Sequence, residues 1–141
     1  MMDVTIDKME TEQEKILKKM ALYFTAIFFI AAGARHFMMP EFYMLMMPNF
    51  LPIPLALIYL SGFLKILGGI GLMNLNTRVL SAWLLMLVLL VALPGHVYLW
   101  TNNIELPDKF HPSWLLLLRI PLQFLLIAWM YMFSKNPKAY S

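Results

Sequence analysis

LLMLVLLVAL, residues 84–93, is an unbroken run of apolar side chains with no polar face on any helical or strand period. A helix on the surface of a soluble bundle needs a solvated side, and this stretch offers none. Read outward, the apolar segment extends from Val79 to Trp100. That is the length of about 20 residues a helix needs to cross a hydrocarbon core of about 30 Å. Three more segments of the same kind follow from the same rule: residues 19–34, 53–74 and 113–133. Backbone polar groups in hydrocarbon have to be paired within the segment, so each is read as a helix. Composition agrees. Apolar residues make up 61% of the 141 residues and charged residues 13%, about half the share of roughly 25% usual in soluble domains. A chain this short has too little interior to hide that surface from water. The expected fold is all-α, a four-helix transmembrane bundle spanning residues 20–134, with a mixed-charge tail over 1–19 and a short tail over 135–141.

The charges sit at the ends of these runs. Lys8, Lys15, Lys18 and Lys19 precede the first span, Arg78 lies in the second connection, and Lys135 and Lys138 follow the fourth. The opposite side carries Arg35 and Lys109. The excess of Lys and Arg predicts that both termini lie on the cytoplasmic side of the membrane. Ala32-Gly33-Ala34 imitates a signal-peptidase site, but the preceding tail holds Asp3, Asp7, Glu10, Glu12 and Glu14, unlike the short basic region of a signal peptide. The net charge of +3 matches anionic lipid headgroups as partners and gives no basic patch for nucleic acid. There is no cysteine, which excludes disulfides, thiolate metal sites and dithiol redox chemistry by this chain. Tyr23, Tyr98, Trp100, Trp114 and Tyr131 fall near span ends, as interface anchors do.

The connections differ. Residues 74–78 form a tight polar turn, and residues 102–112 a longer loop with Pro107 and Pro112. The first, Arg35 to Pro54, is apolar and aromatic, is broken by prolines 40, 48, 52 and 54, and holds Met38, Met39, Met44, Met46 and Met47. No straight helix crosses that pattern. It is expected at the outer interface or folded back as a soft, adaptable cap over the bundle mouth. In the N-terminal tail, Thr11 and Glu14 have capping-box spacing. The tail reads as a helical lead-in to the first span, with a docking surface for a partner as the alternative.

Polar residues at membrane depth are costly and point to function. Lys65 lies about halfway along the second span, roughly 18 Å from its outer end at 1.5 Å per residue. Arg119 sits about 9 Å below the outer end of the fourth span, with Gln123 one turn deeper. His96 follows Pro94-Gly95, Arg35 and His36 close the first span, and Glu41 and His111 lie in outer loops. These residues gather in the outer half, beside bends expected at Pro94 and Pro121. The inner half is nearly pure hydrocarbon. The candidate ligand-binding residues are therefore Arg35, His36, Glu41, Lys65, His96, Arg119 and Gln123. A polar pocket opening outward and a purely structural network, with Lys65 snorkelling and Arg119 paired to Glu41 or a carbonyl, both fit the pattern. The excess of cations favours an electron-rich or anionic headgroup on an apolar body. His36, His96 and His111 stand on three segments without metal-ligand spacing, so no metal is assigned. No nucleophile triad, phosphate loop or carboxylate pair marks an autonomous enzyme.

The ordered set Gly33-Ala34-Arg35-His36-Phe37, Pro40-Glu41-Phe42-Tyr43, Met47-Pro48, Leu51-Pro52, Leu60-Ser61-Gly62, Leu67-Gly68-Gly69-Ile70-Gly71-Leu72 and Arg119-Ile120-Pro121-Leu122-Gln123 resembles the DoxX family of small bacterial membrane proteins. The likeness runs from about Ala31 to Tyr131. It implies a four-helix membrane bundle and, for function, a non-catalytic accessory subunit of a membrane redox system, with quinone as the molecule handled. Two positions depart from that family's pattern. Lys65 stands where an acidic residue is common, and Pro94-Gly95-His96 where Pro-Ala-Asn is common, so a role resting on the carboxylate is in doubt. A protein that binds or transports a lipid-like molecule and an assembly factor for membrane proteins remain as alternatives, and a homo-oligomer fits any of them.

Overall fold

The computed structural model describes residues 1–104 and 113–140. Five α-helices follow in chain order: α1 Met2–Met38, α2 Pro40–Met44, α3 Pro54–Met73, α4 Arg78–Thr101 and α5 Ser113–Lys135, then a 3₁₀ turn at Pro137–Tyr140. No strand occurs among the described residues. Four of the helices are long and apolar enough to cross a membrane, over Val4–Met38, Pro54–Met73, Arg78–Thr101 and Leu117–Lys135. They pack in the order α1, α3, α4, α5, and Trp129 closes the ring by donating its indole N–H to the Thr25 hydroxyl of α1 at 3.1 Å. That hydroxyl in turn donates to the Ala21 carbonyl at 2.7 Å, so the bridge leaves no polar atom over. The outward faces are apolar as well: Phe24, Leu80 and Val91 are 73%, 73% and 69% exposed.

The tail is helical, as read from the sequence, and it joins the first apolar segment directly. The helix runs through residue 19 without a break, so tail and first span are one rod of 37 residues. Thr11 caps nothing; its hydroxyl donates to the Lys8 carbonyl inside the helix. Lys, Glu and Met are good helix formers, and a Thr with turns on both sides has no free N–H to cap. The first connection begins four residues later than the sequence suggested and contains a helix of its own. Pro40 starts α2 at a position where a missing N–H costs nothing, and Phe42 of α2 is buried with Leu99 of α4, flanked by Tyr43, Leu45, Met46 and Ile104. The Pro/Met segment is thus folded over one end of the bundle, with the Met46 carbonyl 3.1 Å from where a Cβ on Gly95 would stand. Ile53, between Pro52 and Pro54, has φ 47° and ψ 54°, a left-handed conformation that strains a β-branched residue.

The other end is closed by packing. Leu22, Ala26 and Phe29 of α1 meet Leu72, Ala82, Leu85, Met86, Leu89, Met130, Phe133 and Tyr140 in one buried cluster. This end is not pure hydrocarbon, contrary to the reading above. Arg78 is buried, donating from Nε to the Leu72 carbonyl at 2.8 Å and from Nη1 to the Pro137 carbonyl. A cation on the last carbonyls of α3 suits the negative end of that helix, and the second bond ties the C-terminal turn to the α3–α4 junction. Arg78 had counted only as a loop charge.

Candidate functional site

The site begins with how closely α1 approaches α3. A Cβ on Gly33 would fall 2.5 Å from the Gly62 carbonyl oxygen; one on Gly62 would fall 2.8 Å from the Gly33 carbonyl and 2.7 Å from the His36 Cβ. Gly69 sits in the same way against the Ala26 carbonyl. The antiparallel backbones touch where any side chain would hold them apart. One helical turn beyond each glycine of the first pair stand the two polar residues, His36 on α1 and Lys65 on α3. Side chains lean toward the N-terminus of their helix. Lys65 therefore reaches from mid-span back toward the capped end, and its Nζ lies 3.0 Å from His36 Nε2.

The His36 ring has a defined tautomer. Nδ1 lies 2.7 Å from the Ala32 carbonyl, which can only accept, so Nδ1 carries the hydrogen and Nε2 of the neutral ring accepts from Lys65. Tyr43, arriving from α2, stacks on the imidazole with ring centroids 3.8 Å apart and planes 21° apart. Arg35 lies over the Phe42 ring at 5.1 Å. Burial pushes the Tyr43 phenol up from its ordinary value, more strongly than the guanidiniums of Arg35 and Arg119 pull it down. The phenol stays a neutral O–H at neutral pH. Arg119 acts electrostatically on both Tyr43 and Arg35, and His96 lies in the fields of Arg119 and Lys65. His96 Nδ1 is buried with no hydrogen-bond partner among the described residues.

Of the seven residues singled out in the sequence, the structure joins five in one cluster under the α2 cap: Arg35, His36, Lys65, His96 and Arg119. His36 is 5% exposed, not superficial as its position at a span end suggested. Glu41 is exposed and makes no ion pair with Arg119; among the described residues the ion pairs are Lys15–Glu12 and Lys18–Glu14, far along α1. The carboxylate proposed as a partner for Arg119 points elsewhere because α2 buries Phe42 and turns its neighbour outward. Gln123 is buried and donates to the Leu89 carbonyl of α4, so it acts as a bond between helices. Pro94 leaves the Leu90 carbonyl, not that of Leu89, without a helical N–H, so Gln123 bonds Leu89 through a carbonyl that has a second lone pair. Glu105, Asp108, Lys109 and His111 lie outside the described residues. No three His, Asp or Glu side chains among the described residues converge as a metal set.

Tyr43 is the member the sequence reading did not single out. Its signal was its place two residues after Glu41 in a proline-started turn, which cannot by itself say which ring it will meet. Chemically, the cluster gathers one ammonium, two guanidiniums and a phenol around one imidazole nitrogen that accepts from Lys65 and one, on His96, that has no partner among the described residues. The clefts at Lys135–Ala139 and along Thr5–Gln13 lie away from it. The family model described as Domain of unknown function (DUF8561) matches residues 25–134, which include parts of all four long apolar helices and every residue of the cluster, and the chain belongs to that family. Neither a curated protein nor a solved structure matches the chain.

Proposed function

We propose that this DUF8561 member is a multi-pass membrane protein that holds, under its α2 cap, the acceptor-rich head of an amphiphile whose tail lies along the apolar spans. One observation carries the reading: Lys65, in the middle of an apolar helix, is bonded to a neutral-ring histidine and to no carboxylate among the described residues. A buried cation without a counter-ion is expensive. Arg35 and Arg119 add positive charge to the same surroundings. An anionic or carbonyl oxygen entering there gains charge-assisted hydrogen bonds, while an apolar tail loses nothing by staying in lipid. Insertion itself is supported by the four long apolar helices and by the apolar faces they turn outward. Lys and Arg crowd the end that holds the termini and the α3–α4 turn, which favours cytoplasmic termini and an outward-facing cap.

The resemblance to the DoxX family adds a redox setting: a quinone head presents two carbonyl acceptors, and the chain would serve a membrane redox partner as a non-catalytic subunit. The head chemistry, not the partner, is what the cluster supports directly. Native mass spectrometry with an absorbance spectrum, on protein extracted mildly from its own membrane, tests the proposal. A stoichiometric quinone or acidic lipid that is lost in Lys65→Met and Arg119→Leu is the expected result. Bare protein, or a ligand retained equally by both variants, would contradict it.

A further inference from the structure

The described side chains of the N-terminal third of α1 are all exposed. At about 1.5 Å per residue the 37-residue helix runs about 55 Å, so well over a third of it stands clear of a hydrocarbon core of about 30 Å. Along this arm Met2, Ile6, Met9, Gln13, Ile16 and Met20 recur in alternating steps of four and three residues. The five apolar ones are between 52% and 79% exposed. That spacing is a heptad seam with Ile6, Gln13 and Met20 in one row and Met2, Met9 and Ile16 in the other, a pattern whose complement is a helix of the same pitch. A lone helical arm of this length gains little stability from propensity alone.

We infer that the arm pairs with the arm of a second copy of this chain as a parallel two-stranded coiled coil. The parallel direction rests on the membrane reading, since two copies inserted the same way project their arms from the same face. Charge placement fits this occupant. In a parallel pair the flanking positions set Glu12 beside Leu17 and Lys19 beside Phe24 of the second copy, so neither of these described charges meets one of its own sign. The ion pairs Lys15–Glu12 and Lys18–Glu14 lie within one arm, and Glu14, Lys15 and Lys18 sit off the seam. A shallow cleft lined by Thr5, Lys8, Met9, Glu12 and Gln13 opens beside the seam at its midpoint. Met9, Glu12 and Gln13 are three of the four residues that form the hole for a knob from an opposing Gln13. Gln13 is the one polar residue in the seam, and a polar layer facing its own copy fixes register at some cost in stability.

The absence of native cysteine allows a direct test on the full-length protein in its membrane. Met9→Cys, Gln13→Cys and Ile16→Cys each form a disulfide-linked dimer under mild oxidation, in severalfold excess over Thr11→Cys and Lys18→Cys on the outer face. In detergent, light scattering reads a dimer that Ile16→Asp converts to monomer and Lys18→Asp leaves intact. Equal crosslinking at all five positions, no crosslinking, or a monomer before any substitution would each overturn the inference. Because none of these readouts involves the capped cluster, loss of dimerisation and loss of head binding are separable results.

Discussion

The two ends of the bundle solve the same problem in opposite ways. At the end that holds the termini, the buried cation Arg78 spends its donors on the Leu72 and Pro137 carbonyls, and eleven buried residues around it form one continuous apolar cluster. At the capped end, Lys65 has one described partner, His36, and Arg35 and Arg119 share its surroundings. His96 there has a buried Nδ1 with no hydrogen-bond partner among the described residues. A helical bundle needs the first arrangement to stay folded, whereas the second is costly and contributes little to holding four helices together. The difference teaches that a buried cation satisfied by backbone carbonyls marks scaffold, and we read Lys65, with no carboxylate among its described partners, as the opposite case.

Substitutions can sharpen or break this contrast. Leu85 is wholly buried and fills the space against Gly68, so Leu85→Ala should cost about 3 kcal/mol of stability through the cavity it leaves, read by denaturation in mixed micelles. Arg78→Ala strands two carbonyls at the same end and should cost about 2 kcal/mol. Neither should alter ligand retention. Gly62→Ala drives a methyl into the His36 Cβ and the Gly33 carbonyl; it should cost about 1–2 kcal/mol by overpacking and also weaken retention, because it pushes α1 from α3 where His36 meets Lys65. Lys65→Met should change stability by less than about 1 kcal/mol, since removing a poorly paired buried charge is often neutral, while abolishing retention. If Lys65→Met unfolds the protein as Arg78→Ala does, the two ends are alike and the contrast fails.

Much of the fold was legible because span helices leave a plain hydropathy signal. Residues 53–74, 79–100 and 113–133 anticipate α3, α4 and α5 to within two residues at each end. The helical lead-in over 1–19 was legible too; its unbroken continuation into the first apolar segment was not, because hydropathy reports lipid exposure and not helix continuity. The grouping of Arg35, His36, Lys65, His96 and Arg119 was legible from depth alone. What depth could not supply was direction: Glu41 turns out to solvent, Tyr43 turns in upon His36, and Arg78 turns from loop to core. Each of these depends on a turn geometry, the Pro40-started α2 or the tight Asn74–Thr77 connection, that no periodicity describes.

The most direct measurement is a thermal melt of the purified full-length protein titrated with a short-chain phosphatidic acid, run side by side on the wild type, Leu85→Ala and Lys65→Met. A ligand that binds only the folded state raises Tm with its concentration. The account predicts that the wild type and Leu85→Ala rise in parallel, the latter from a lower baseline, while Lys65→Met stays flat. A rise of equal size in Lys65→Met, or no rise in the wild type with either this lipid or a short-chain quinone, would contradict it.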